Sequence, residues 1–365
     1  MMNPATICFF NSAMTWGGGE KWHCEAALFM QQSGHRVLVV TSPGSALQQQ
    51  LPGTIECIGF KVKNLSYLNP IKIIRLKNLL RQKNVQCIII NLSADLKLAG
   101  LAAKLARVKR IIYRRGSAIP IKDHFLNRFY FGKILTDVLA NSKATKETVL
   151  QNNGGLFPAN KIKVIYNPIH TEELATRKYA PVYIKGRDEL VLGNIGRLVP
   201  QKNQRFLVDV AALLKSSRVA FKLLIAGSGP LEKELKEYAK EKNVSQEIMF
   251  TGFLENVKDL LMSCDIFVLP SLWEGFGYVL AEASLCKKPV VAFSVSSNPE
   301  LVINGETGFL TETNNLQEFY DKLMILKSDP EMLARFGENG VRYILDNFSD
   351  EKIKAQLSAY LNEQL

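Results

Sequence analysis

Long hydrophobic runs are missing from this chain of 365 residues. No uninterrupted apolar stretch approaches the roughly 20 residues that a membrane-spanning helix needs, so no transmembrane helix is expected. The N-terminal stretch has no basic region leading into a long apolar one, which argues against a signal peptide. Cysteine is sparse, with six residues at 8, 24, 57, 87, 264 and 286 and no CxxC pair. Several sit inside apolar, strand-like runs, the pattern of reduced buried thiols and not of a disulfide framework or a zinc site. No recognised nucleic-acid motif occurs. Charged residues make up 22% and hydrophobic residues 47%, with no extreme segment, which excludes a disordered or fibrous chain. What remains is a cytosolic globular protein, or one that touches a membrane from the side. At this length two domains are the default expectation.

The net charge of +12 is unevenly placed. Residues 1–170 carry 23 Lys and Arg against 7 Asp and Glu, a net of +16, and residues 171–365 carry 23 against 27, a net of −4. Such asymmetry points to a polyanionic partner for the first half, with nucleic acid, an anionic membrane and phosphorylated substrates as candidates. A merely solubilising surface would look the same.

The pattern along the chain alternates strands and helices. An apolar run at 5–10 is followed by WGGGE at 16–20, a helical stretch at 21–32, Gly34 as a stop, and the strand RVLVVT at 36–41. That is a βαβ unit. A basic amphipathic helix at 68–83, strands at 85–91, 110–113, 137–141 and 161–167, and helices at 96–106 and 143–151 continue the series. Residues 171–189 are polar, carry Pro181 and Gly186, show no apolar periodicity and read as a linker. A second βα series runs from 190 to 293, and 350–365 is helical. The expected fold class is α/β, with two Rossmann-like, doubly wound parallel-sheet domains facing across a cleft. Their bounds are 1–170 and 190–349, and the tail helix packs back on the first domain.

Two segments carry most of the chemistry. EGFGYVLAE at 274–282 follows a strand and opens a helix, whose free N–H groups suit an anion. Gly275 and Gly277 allow close backbone approach. Glu274 and Glu282, about 80° apart on a helical wheel, would face the same side and accept hydrogen bonds from sugar or ribose hydroxyls. GRLVPQKN at 196–203 places Arg197 and Lys202 at the carboxyl end of a strand, where ligands bind in this fold class. A guanidinium and an ammonium suit a diphosphate, and would stabilise charge growing on it as a leaving group. The glycines at 17–19 and at 227 and 229 are weak signals alone, and 17–19 does not match the spaced GxGxxG of dinucleotide sites.

Together these stretches resemble the family 4 retaining glycosyltransferases of the GT-B fold. The matching segments are GNIGRLVPQKN, LLIAGSGP, IMFTGFLEN, CDIFVLPSLWEGFGYVLAEA, KPVVAF and NGETGFL in residues 190–310, with WGGGEKW, LANSKAT and KVIYNPI in the first domain. The resemblance implies that the second domain binds a nucleotide diphosphate sugar, UDP- or GDP-linked. Arg197 and Lys202 would hold the diphosphate, and Glu282 the ribose. Glu274, with the backbone of Gly275, Phe276 and Gly277, would hold the transferred sugar. The N–H groups of Tyr278 and Val279 would touch phosphate, and Phe253 would lie by the base. Gly18 and Gly19 would approach the diphosphate from the first domain. Where related enzymes carry a histidine facing the active site, this chain reads Tyr113-Arg114-Arg115-Gly116, so Arg114 and Arg115 are the acceptor-side candidates. No Asp-x-Asp pair occurs, so no metal and no cofactor is expected beyond the co-substrate.

The implied reaction is transfer of a hexose with retention, by same-face displacement in which the leaving phosphate helps deprotonate the acceptor. The basic first domain would meet a glycan or lipid-linked acceptor in cell-surface polysaccharide or lipopolysaccharide synthesis. Its cations and the aromatics Phe125, Phe129, Tyr130 and Phe131 would rest on the anionic inner face of the cytoplasmic membrane. Nucleic acid is not expected as a partner. The alternatives are a sugar-nucleotide epimerase on the same fold and a non-catalytic sugar-nucleotide-binding protein. An intact cation pair and glutamate pair argue against both.

Overall fold

The computed structural model describes residues 4–151 and 155–363. The chain divides into two compact units, one of residues 1–167 with 351–365 and one of residues 168–350.

The first unit is a sheet of seven parallel strands. These are β1 (Thr6–Asn11), β2 (Arg36–Thr41), β3 (Glu56–Gly59), β4 (Cys87–Ile90), β5 (Arg110–Arg115), β6 (Asp137–Ala140) and β7 (Ile162–Val164), in the order β3-β2-β1-β4-β5-β6-β7. Successive side chains on a strand point to opposite faces. Cys8, Phe10, Ile88, Ile90, Ile111 and Tyr113 therefore join one core, and Ile7, Phe9, Cys87, Ile89 and Ile112 the other. Burial on both faces explains why these strands are continuous apolar runs. One face is covered by helix Pro70–Gln82 and its neighbours. The other is covered by helix Gly18–Gln32 and by the last helix, Asp350–Asn362, which contributes Ile353, Leu357, Tyr360 and Leu361. Arg110 fastens that last helix, its Nη1 donating to the carbonyls of Tyr360 at 2.8 Å and Leu361 at 3.1 Å.

The second unit is a six-stranded parallel sheet. Its strands are β8 (Leu190–Ile195), β9 (Phe221–Ala226), β10 (Ile248–Gly252), β11 (Ile266–Leu269), β12 (Val290–Phe293) and β13 (Gly308–Thr311), in the order β10-β9-β8-β11-β12-β13. Phe206, Phe293 and Phe319 pack edge to face in its core, with ring centroids 4.8 to 5.9 Å apart. Helices Leu316–Ser328 and Pro330–Phe348 complete it.

Residues 171–189, read from the sequence as a linker, belong to the second unit and open with helix Thr171–Thr176. Val182 and Tyr183 pack on the second unit's core, and the rest of the segment is held by polar bonds. Lys258 Nζ donates to the carbonyls of Leu174, Ala175 and Arg177, and Asp259 and Ser263 accept from the N–H groups of Ala180 and Val182.

Candidate functional site

In each sheet the strand order reverses direction once, between β1 and β4 in the first unit and between β8 and β11 in the second. Loops leaving neighbouring strands there run to opposite faces and open a crevice at the strands' carboxyl ends. The expected ligand-binding segments follow β8, β11 and β1, which border these two points.

In the second unit, Gly196 and Arg197 directly follow β8, and Pro200–Lys202 form a single 3-10 turn. Arg197 is exposed. Lys202 runs back over Gly196, where an added Cβ would lie 3.3 to 3.4 Å from the lysine's methylenes. Its Nζ lies 2.5 Å from Glu274 Oε1, and the two side chains are only 14% and 7% exposed. A charge pair this buried holds only because each partner stays in place. Backbone bonds fix the two segments against one another: Leu272 N–H donates to the Gln201 carbonyl, and Gln201 Nε2 to that of Trp273. Ser297 Oγ donates to the carbonyls of Phe276 at 3.0 Å and Glu274 at 3.4 Å.

The helical-wheel argument for Glu274 and Glu282 does not survive. The helix is Tyr278–Leu285, so Glu274 lies in the preceding turn and Glu282 alone is helical, half-buried on the second turn. Gly277 caps that helix with φ of +87°, a conformation that favours glycine. Gly277 has no side chain of its own to cap the helix, and the first N–H groups, those of Tyr278 and Val279 among them, lie at the helix's positive end. The Phe276 ring is buried against Tyr278 and Phe348, which leaves its backbone as the part at the turn. Phe253 follows Gly252 at the end of β10 and is 73% exposed. Gly227 is packed so tightly on the Arg197 loop that a Cβ there would come within 2.0 Å of the Gly196 carbonyl oxygen.

In the first unit, helix Gly18–Gln32 begins earlier than residue 21, so Gly18 and Gly19 form its first turn and are not loop. Polar side chains at and past the ends of β1 and β4 gather beside this start. Asn11 Nδ2, at the end of β1, donates to Glu20 Oε1 at 3.0 Å. Asp95 accepts from Ser12 N–H at 2.9 Å and Ser12 Oγ at 2.5 Å. Asn91, just past β4, lies against Gly19. Burial pushes the Asp95 carboxyl up to about 6, against the pull of the Ser12 hydrogen bonds. Burial, and then the nearby charge of Arg114, hold His23 well below the ordinary imidazole value, so His23 is neutral.

Arg114, expected to face an acceptor, is 2% exposed and turned into its own unit. It donates to Asn91 Oδ1 and Asn167 Oδ1, and its guanidinium lies over the Trp22 ring. Arg115 is half-buried, donating to the Ile119 carbonyl and reaching the Tyr113 hydroxyl at 3.5 Å. Tyr130 and Phe131 are core residues and not surface aromatics, whereas Phe125 and Phe129 are exposed. An apolar ridge that the sequence reading missed lies elsewhere: Leu65, Leu68, Ile71 and Ile74 are each more than half exposed. Their spacing of three was the available signal. Asn91, Asn167, Gln201 and Ser297 lay beyond local reading, because each acts on a segment distant in sequence. Among the described residues no three His, Cys, Asp or Glu side chains gather as a metal site would, and no helix is long and apolar enough to cross a membrane.

Two doubly wound parallel-sheet domains with their glycine turns at the switch points define the GT-B class of fold. Comparison with known proteins agrees. Residues 16–173 match the model of Glycosyltransferase Family 4, and residues 176–343 that of Glycosyl transferases group 1. An uncharacterized glycosyltransferase of Methanocaldococcus jannaschii is 30% identical over 300 residues, 80% of this chain and 79% of the relative. The Campylobacter jejuni N-acetylgalactosamine-N,N'-diacetylbacillosaminyl-diphospho-undecaprenol 4-alpha-N-acetylgalactosaminyltransferase is 26% identical over 302 residues, 80% of each chain. The crystal structure of Anabaena HepE in complex with UDP superposes with a TM-score of 0.82 at 22% identity, covering 98% of this chain and 99% of that one. The chain belongs to the family 4, group 1 glycosyltransferases.

Proposed function

We propose that this glycosyltransferase moves a hexose, with retention and without a metal ion, from a UDP- or GDP-sugar to a glycan or lipid-linked acceptor, in the synthesis of a cell-surface polysaccharide or lipopolysaccharide. The observation that carries the reading is the Lys202–Glu274 pair at the carboxyl ends of β8 and β11, near Arg197 and the start of helix Tyr278–Leu285. A buried ammonium and an exposed guanidinium suit a diphosphate, and the carboxylate suits the hydroxyls of the attached sugar. As the bond to the sugar breaks, charge grows on the phosphate oxygens, where Arg197, Lys202 and the N–H groups of Tyr278 and Val279 oppose it. The phosphate oxygen then takes the acceptor proton on the same face. Glu282 would hold the ribose and Phe253 the base. The Campylobacter relative acts on a diphospho-undecaprenol-linked substrate, as its name states, which supports a lipid-linked acceptor.

Thermal stabilisation by UDP, GDP and their sugars with EDTA present tests the donor. A selective shift with one base is expected. No shift with any, from a folded sample, refutes the reading.

For the membrane, the ridge Leu65, Leu68, Ile71 and Ile74 lies within residues 61–83, which carry seven Lys or Arg and no Asp or Glu. Apolar side chains flanked by cations alone suit an anionic leaflet. Cosedimentation with phosphatidylglycerol vesicles at low salt, and its loss in Leu68→Ser/Ile71→Ser, is expected. Failure of the unaltered protein to bind removes the membrane from the proposal.

A further inference from the structure

In the second unit, loops leave the carboxyl ends of the adjacent strands β11 and β12, and the second loop holds the first. Ser297, fully buried after β12, donates its hydroxyl proton to the Phe276 carbonyl at 3.0 Å, with the Glu274 carbonyl at 3.4 Å as a weaker second acceptor. Ser297 is itself held in place. Its carbonyl accepts from Glu300 N–H at 2.9 Å, and Asn298 Nδ2 next to it donates to the Phe293 carbonyl at 2.9 Å. Ser296, just before it, has φ of +48°, a left-handed backbone that a serine adopts only at a cost. Backbone in such a conformation persists where its surroundings enforce it, and it clusters at ligand-binding turns.

The consequence falls on the peptide units of the turn from Glu274 to Gly277. Glycine leaves its flanking peptides free to rotate unless something holds them, and this turn has glycine at 275 and 277. In a trans peptide the C=O and N–H groups point in opposite directions. A donor that engages the carbonyls of Glu274 and Phe276 therefore turns the N–H groups of Gly275 and Gly277 away from itself. The Glu274 carboxylate is set separately, by Lys202 at 2.5 Å, and the approach to the turn by Gln201 at the Trp273 carbonyl. Ser297 thus governs the backbone of the turn and not its carboxylate.

We propose that Ser297 is a positioning residue for the sugar of the donor: its hydroxyl fixes the backbone from Glu274 to Gly277 in one orientation, so that the turn meets the sugar already ordered. This rests on the reading of that turn as the holder of the transferred sugar. A preorganised turn binds more tightly because less ordering remains to be done on binding. Ser297 itself touches no substrate. The diphosphate is assigned to Arg197 and Lys202 after β8 and to N–H groups within helix Tyr278–Leu285, so loss of the hydroxyl falls on the sugar and spares the nucleotide.

The test is titration calorimetry of the full chain with UDP, GDP, UDP-glucose, UDP-N-acetylglucosamine and GDP-mannose, for the unaltered protein and Ser297→Ala. Ser297→Ala is expected to weaken the nucleotide sugar that binds by about fivefold, the worth of one ordinary hydrogen bond, while the matching nucleotide diphosphate stays within about twofold. A merely structural role would lower the melting temperature and weaken both ligands alike, or neither. Equal losses for the two ligands, or a nucleotide sugar that stays within about twofold, overturn the proposal. Should Ser297→Ala fail to fold, Ser297→Cys, of similar shape and a weaker donor, takes its place, and equal losses for the two ligands overturn the proposal in the same way. If the unaltered protein binds a nucleotide diphosphate and none of the three nucleotide sugars, the proposal falls while the nucleotide site stands. If it binds none of the five, the donor reading itself has failed, and the proposal falls with it.

Discussion

Lys202→Met isolates the energetics of the candidate site. It removes the ammonium 2.5 Å from Glu274 Oε1 and leaves a carboxylate only 7% exposed without its cation. Breaking a buried pair by deleting one partner costs about 3–5 kcal/mol, since the surviving charge keeps its desolvation penalty and loses its attraction. Lys202 itself retains 14% exposure, and water at its rim offsets part of the loss. We therefore expect about 3 kcal/mol, the lower end of that range. For a unit of this size that corresponds to a melting transition about 6–12 °C lower. Glu274→Gln leaves an amide oxygen facing the ammonium and costs less, about 1–2 kcal/mol. In Lys202→Met/Glu274→Gln no buried charge remains, so the double variant should be more stable than the sum of the singles implies by about 2 kcal/mol. Urea unfolding followed by circular dichroism measures all three, with the second unit's transition fitted separately. Lys202→Met within about 0.5 kcal/mol of the unaltered protein, or strictly additive effects, would refute the argument.

Three further expectations follow from the same geometry. Gly227 has φ of +133°, and its Cβ would lie 2.0 Å from the Gly196 carbonyl oxygen, so Gly227→Ala should displace the Arg197 loop and cost more than about 3 kcal/mol; an unchanged urea midpoint refutes this. Arg110→Met leaves the last helix's carbonyls without their donor and Asp137 without its cation, 3.4 Å away. It should free residues 351–363 at a cost of about 2–4 kcal/mol, seen as early protease cleavage there and faster hydrogen exchange. Asp95 holds its proton more tightly when folded, up to about 6 against an ordinary 3.8, so stability from this group is greatest below 3.8 and falls as pH rises towards 6, by about 3 kcal/mol. Asp95→Asn should lack that slope in urea midpoints taken from pH 4 to 7, and a slope that persists refutes the assignment.

Much of the second unit was legible in the sequence. The βα series expected from 190 onward holds β8 and β9 at 190–195 and 221–226, and GRLVPQKN and EGFGYVLAE follow β8 and β11 as expected. Parallel strands buried on both faces leave unbroken apolar runs, and glycines mark their exits, so local pattern suffices there. Edge strand β3 escaped because Glu56–Gly59 is only partly buried and carries a charge. Segment 171–189 escaped because it is held mainly by polar bonds from Lys258, Asp259 and Ser263, and only Val182 and Tyr183 pack on the core, too few for an apolar period.

The sequence by itself determined the βα alternation, the two sheets and the residue types at the strand ends, because periodicity and turn chemistry are properties of neighbours in the chain. Tertiary structure decided which of those residues meet. Lys202 and Glu274 are 72 positions apart and form one buried pair, and Arg114 draws together Trp22, Asn91 and Asn167. It also turned Arg114 inward, sent Tyr130 and Phe131 into the core, and left Leu65, Leu68, Ile71 and Ile74 outside. Burial and long-range pairing depend on how elements pack, and no local window of residues contains that information.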